Sequence, residues 1–164
     1  APKTPEMSLE LSSVLRYMLY ECKEAFVSLQ EDVKQLENYI KLSELQIEER
    51  GQVQFSTSGI TPQHRIAPLL FMVFVENAFK HSASSMKDEI RIEIDITVTD
   101  DTLVMTCENT FMTHSNHRSI NTGIGLQNVK KRLALIYPDT HQLKITDHDQ
   151  IYQVKLTVEL NHHS

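Results

Sequence analysis

The chain predicts an α+β fold, a two-layer α/β sandwich preceded by an N-terminal helical pair. Three observations lead there. Ile90, Ile92, Ile94, Ile96 and Val98 alternate with polar residues over nine positions, the mark of a strand with one buried face. The almost wholly apolar segment from Pro68 to Lys80 and the segment 125–136, with Leu126, Val129, Leu133 and Ile136 at helical spacing, supply two helices to cover that face. Upstream, Leu11, Val14, Leu15, Met18 and Leu19 form a stripe of period near 3.6 over residues 8–21.

The remaining elements follow in order. Ser28 with Glu31 three residues later reads as a capping box, opening a second helix that runs to about Glu49 with Val33, Leu36, Tyr39, Ile40 and Ile47 mostly on one side. Gly51 marks its end. Val53 to Phe55 has strand character, and a strand over about Leu103 to Cys107 follows the turn Thr99 to Thr102. A last pair at Leu143 to Ile145 and Ile151 to Leu160 is joined across Asp147, His148 and Asp149. The polar stretch between Asn109 and Gly123 is long for a compact domain, a length typical of lids or disordered loops.

Composition bounds the function. With 164 residues, 40% of them hydrophobic, the chain suffices for one domain with a real core plus a helical extension. The longest apolar run, Ala67 to Val75, is far short of the ~20 residues a membrane span needs. A formal charge of −6 argues against a nucleic-acid surface. Cys22 and Cys107 fit reduced residues better than a disulfide framework.

The chemistry concentrates at two places. At ~100° per residue, Glu76, Asn77, Lys80 and His81 fall within an arc of roughly 140° at the end of the apolar helix. A carboxylate, an amide, an ammonium and an imidazole suit a magnesium nucleotide: the amide oxygen is a hard metal ligand, Lys and His donate to phosphate oxygens, and Glu can take a proton. The same four residues would also suit the surfacing last turn of a core helix with an ordinary Glu–Lys pair. Downstream, Gly123 and Gly125, two of only four glycines, immediately precede a helix whose N-terminal N–H groups can receive anionic oxygens. They do not make a dinucleotide fingerprint, since no strand runs into them and the third glycine is missing.

Together, Ala67-Pro68-Leu69 leading to Val75-Glu76-Asn77-Ala78-Phe79-Lys80-His81, then Gly123-Ile124-Gly125-Leu126-Gln127-Asn128-Val129 with Arg132-Leu133 and Tyr137-Pro138, resemble the catalytic ATP-binding domain of LytS/YehU-like sensor histidine kinases. These lie within the GHKL (Bergerat-fold) ATPase superfamily. Leu15 to Tyr20 and Leu36 to Ile40 look like the same subfamily, so the likeness covers nearly the whole chain.

The resemblance implies a protein histidine kinase using ATP and Mg2+, passing the γ-phosphate to a histidine for relay to a response regulator. Glu76 would be the catalytic base, Asn77 the magnesium ligand, and Lys80 and His81 phosphate contacts. Gly123, Ile124, Gly125 and Leu126 would close over the triphosphate, with the stretch from Asn109 to Gly123 as the ATP lid. The adenine-recognising carboxylate of the family falls two residues past Cys107, at Asn109, and the glycines of its Asp-x-Gly-x-Gly box are absent. That departure supports an alternative, a nucleotide-gated or scaffolding module without catalysis.

None of the eight histidines has the phosphoacceptor context of the family, so the chain is expected to begin after that residue. Residues 1–50 would be the remnant of a dimerisation stem and 51–164 the catalytic domain. The stem would form a homodimer, or its helices would pack back on the sheet. Upstream transmembrane segments, with this portion on the cytosolic side of an inner membrane, are implied by likeness alone.

Overall fold

The structure, a computed structural model, describes Leu15, Met18 and residues 24–112 and 124–160. Its elements run β1 (Val27–Ser28), α1 (Leu29–Ile47), a 3-10 turn (Glu48–Arg50), β2 (Gly51–Ser58), β3 (Arg65–Ile66), α2 (Leu70–Ser85), β4 (Ile90–Thr99), β5 (Thr102–Thr110), α3 (Ile124–Ile136), β6 (His141–His148) and β7 (Ile151–Glu159). Five strands form one sheet in the order β2-β4-β5-β7-β6. The β2–β4 pair is parallel and the others antiparallel, so the chain between β2 and β4 crosses over through β3 and α2.

Alternation places every second side chain of the three central strands inward, and register stacks them in rows across the sheet. Val98–Leu103–Val158, Ile96–Met105–Leu156 and Ile94–Cys107–Val154 are three such rows of buried residues. A fourth row, Ile92–Asn109–Tyr152, substitutes an amide and a phenol near the C-terminal end of β5. Because β5 extends to Thr110 rather than stopping near Cys107, Asn109 lies within the sheet instead of ending a strand.

Helix α2 packs on β4 and β5 and is flanked by α1 and α3. Cover on several sides explains why Leu70, Phe71, Met72, Phe74, Val75, Ala78 and Phe79 are buried nearly all round its circumference. The capping box is realised in part: Ser28 Oγ accepts the Glu31 N–H at 3.3 Å. Within the single chain, the second helix packs on the domain. Leu29, Leu36, Ile40 and Ile47 of α1 share one apolar core with α2 and the sheet, so that core runs across residue 50. Leu15 and Met18 are helical and 47% and 41% exposed.

Candidate functional site

The polar arc of α2 is graded in depth. Taking Glu76 as 0° on the helical wheel, Lys80 falls at ~40°, Asn77 at ~100° and His81 at ~140°. Exposure declines in that order: Glu76 and Lys80 are exposed, Asn77 is half-buried and His81 is 8% exposed. The four therefore share a side, but His81 turns inward. Its ring stacks on Phe111, with centroids 4.6 Å apart and planes at 26°, and meets the edge of Tyr152 at 5.6 Å.

Val73, at ~60° on the same wheel, is where α3 meets this arc. A Cβ built on Gly125 would stand 3.4 Å from Val73 Cγ1, so the first turn of α3 rests one helical turn before Asn77. Leu126, Val129 and Leu133 anchor α3 in the core. The first-turn N–H groups of a helix have no carbonyl partner within it, which makes this end a natural place for anionic oxygens. Residues 113–123, Gly123 and the expected lid among them, and the Ile124 side chain lie outside the described residues.

Beneath α2, Asn109 is 1% exposed. Its Nδ2 donates to Ser82 Oγ at 3.1 Å and to the Thr110 carbonyl at 3.1 Å. Its Oδ1 is buried without a hydrogen-bond partner among the described residues, a costly state unless a donor is supplied. Ser82 Oγ donates in turn to the Thr110 carbonyl at 2.5 Å, and Ser85 Oγ accepts the Met112 N–H at 3.1 Å. Two serines of α2 thus tie the helix to the end of β5 and the residues just after it.

The electrostatics follow burial. Burial, then Cys107 and Asp147, push the Tyr152 phenol up to about 12. Burial and the nearby Glu76 carboxylate raise Tyr39 of α1, against a hydrogen bond with Ser43. Helix α1 also packs directly on α2.

Sequence reasoning missed Ser82 as a partner of Asn109, and Asp32 and Arg50 as partners of the two ends of α2. A signal existed for Asp32: it falls three residues from Leu29 and four from Leu36, on the buried stripe of α1, where a carboxylate needs a partner.

Comparison with known proteins fits this geometry. Residues 1–51 match the family described as "Histidine kinase". The sensor protein LytS of Staphylococcus saprophyticus is 26% identical over 95% of the chain, which spans 28% of that protein's length. The histidine kinase domain of the Erythrobacter litoralis blue-light activated kinase superposes at TM-score 0.63 with 12% identity, over 98% of this chain and 76% of that one. The histidine kinase ThkA, solved in complex with the response regulator protein TrrA, superposes at TM-score 0.57 with 11% identity, over 98% of this chain and 53% of that one. The fold is that of histidine kinase catalytic domains, and similarity to LytS sensor proteins extends over nearly the whole chain.

Proposed function

We propose that the chain is the ATP-binding catalytic portion of a two-component sensor histidine kinase, which transfers the γ-phosphate of ATP to a histidine for relay to a response regulator. The observation that carries this reading is the seating of the first turn of α3 on Val73, beside Glu76, Asn77 and Lys80. In this reading a carboxylate, an amide oxygen, an ammonium and a helix N-terminus would act together on one ligand.

The residues fit a nucleotide. The buried Oδ1 of Asn109 is an acceptor awaiting a donor, which the exocyclic amine of adenine would supply. Asn77 would hold magnesium through its amide oxygen, and the metal would neutralise charge on the phosphates. Lys80 would donate to phosphate oxygens from the exposed side and His81 from the inner wall. Gly123, Ile124, Gly125 and Leu126 would close the lid side, their backbone N–H groups toward the triphosphate.

In the reaction, a ring nitrogen of the acceptor histidine forms a bond to the γ-phosphorus while the bond from that phosphorus to the β,γ-bridging oxygen breaks, releasing ADP. Glu76 takes the proton from the other ring nitrogen. Such chemistry depends mainly on alignment and charge neutralisation, so removing Glu76 should cost rate rather than binding.

A second reading, a nucleotide-gated or scaffolding module, is favoured by one feature: the Asn109 amide already donates to Ser82 and Thr110, and no glycine-rich box follows it. By likeness, the partners are a response regulator and a second copy joined through the N-terminal helices, in a protein held at the inner membrane. The test is Glu76→Gln in a version of the protein carrying the acceptor histidine. Retained ATP binding with lost phosphotransfer is expected; unchanged labelling would remove the assigned base.

A further inference from the structure

Helix α2 lacks its own charge complements. No acidic residue stands in its first turn and no basic residue in its last, and its N-cap, Leu69, offers no side-chain hydrogen bond and sits at φ 65°, ψ 20°, a left-handed conformation unfavourable for leucine. Both deficits are met from α1 and the turn that follows it. Asp32 Oδ1 accepts the Leu69 N–H at 3.2 Å. At the other end, Arg50 donates through Nη2 to the carbonyls of Ala83, at 2.7 Å, and Met86, and through Nε to that of Lys87 at 3.2 Å.

The spans match. From Asp32 to the end of α1 at Ile47 the helix rises ~22 Å, and the turn Glu48–Arg50 carries Arg50 beyond it, against ~24 Å for the 16 residues of α2. The two helices therefore run side by side in the same direction, with a carboxylate on the positive end of α2 and a guanidinium on its negative end. Between these ends the two helices pack directly on each other.

We propose that Asp32 and Arg50 are positioning residues that grip α2 at both ends, so that the placement of α1 sets how Glu76, Asn77 and Lys80 stand against the first turn of α3. The inference rests on the kinase reading above and adds to it a route by which that site is controlled.

The test uses the chain itself, with Arg50→Ala, Arg50→Lys, Asp32→Ala and Asp32→Asn, and Lys34→Ala on the exposed side of α1 as control. Affinity for a non-hydrolysable ATP analogue with magnesium is measured well below each variant's melting temperature, so that every sample is folded. Amide hydrogen exchange along α2 is measured alongside. Arg50→Ala and Asp32→Ala should each weaken affinity by about tenfold and speed exchange at residues 76–80. Asp32→Asn keeps an acceptor for the Leu69 N–H and should restore most of the affinity, while Arg50→Lys, which loses the fork, should restore only part. Lowered melting temperatures with unchanged affinity and unchanged exchange at 76–80 would overturn the proposal, leaving the pair as mere braces. Absence of binding by the unaltered chain would instead remove the kinase reading, and this inference with it.

Discussion

Gly125 faces Val73 across the packing of α3 on α2: a Cβ built on the glycine would stand 3.4 Å from Val73 Cγ1. The first turn of α3 thus lies one helical turn before Asn77. Gly125→Ala should be accommodated and should stabilise the fold by about 0.5 to 1 kcal/mol through helix propensity. Gly125→Leu should lever the turn outward and weaken nucleotide binding with little change in melting temperature. Thermal melts and analogue titrations of the two variants check this; equal affinity in both would separate the glycine from the site.

Asn109, which the proposed function assigns to adenine, is enclosed. Asn109→Asp buries a charge at a position 1% exposed and should lower stability by about 3 kcal/mol at neutral pH. A carboxylate makes a stronger acceptor for an amino donor, so the rise in melting temperature on adding nucleotide should be larger than in the unaltered chain. Equal shifts in both would take Asn109 out of the adenine pocket.

Ser28 caps α1 through its contact with the Glu31 N–H. Ser28→Ala should cost about 1 kcal/mol, a fall of roughly 2–4 °C in melting temperature for a domain of this size. Because α1 carries the grip on α2, nucleotide affinity should fall as well. A loss of stability alone, without loss of affinity, would indicate that fraying at Ser28 does not reach Asp32.

Cys107 and Tyr152 predict the alkaline behaviour. Burial, then Glu108, pushes the thiol from 9.0 up to about 12, and the phenol is raised from 10.0 to about 12. Both groups hold their protons in the folded state at pH values where the unfolded chain has begun to release them. Their contribution is complete below pH 9 and is lost as pH rises toward 12, at up to about 1.4 kcal/mol per pH unit for each group. Melting temperatures between pH 8 and 11 should stay level at first and then fall, and Cys107→Ala should flatten the first part of the fall. A flat profile to pH 11 would contradict this.

The central strands were readable because Ile90 to Val98 alternate without interruption, and the same period of two, counted on from Cys107, points Asn109 inward. The edge strands were underestimated. In β2, Gln52, Gln54, Ser56 and Thr57 face solvent or the sheet margin, so little apolar periodicity marks its length. Pairing of Val27–Ser28 with Arg65–Ile66 is too short to leave any periodic trace. The arc of Glu76, Asn77, Lys80 and His81 followed from helical spacing, but the inward turn of His81 did not. It depends on Phe111, beyond the end of β5, and on Tyr152, from a strand 71 residues away. Asp32 and Arg50 were unreadable as a pair for the same reason: their partners lie 33 to 37 residues along the chain.

The most direct measurement is a calorimetric titration of the chain with a non-hydrolysable ATP analogue and magnesium, run in parallel on Asn77→Ala. The account predicts saturable binding at a single site, weakened at least about tenfold by the substitution. No heat from the unaltered chain would contradict the nucleotide site, and equal binding by both proteins would contradict the metal role of Asn77.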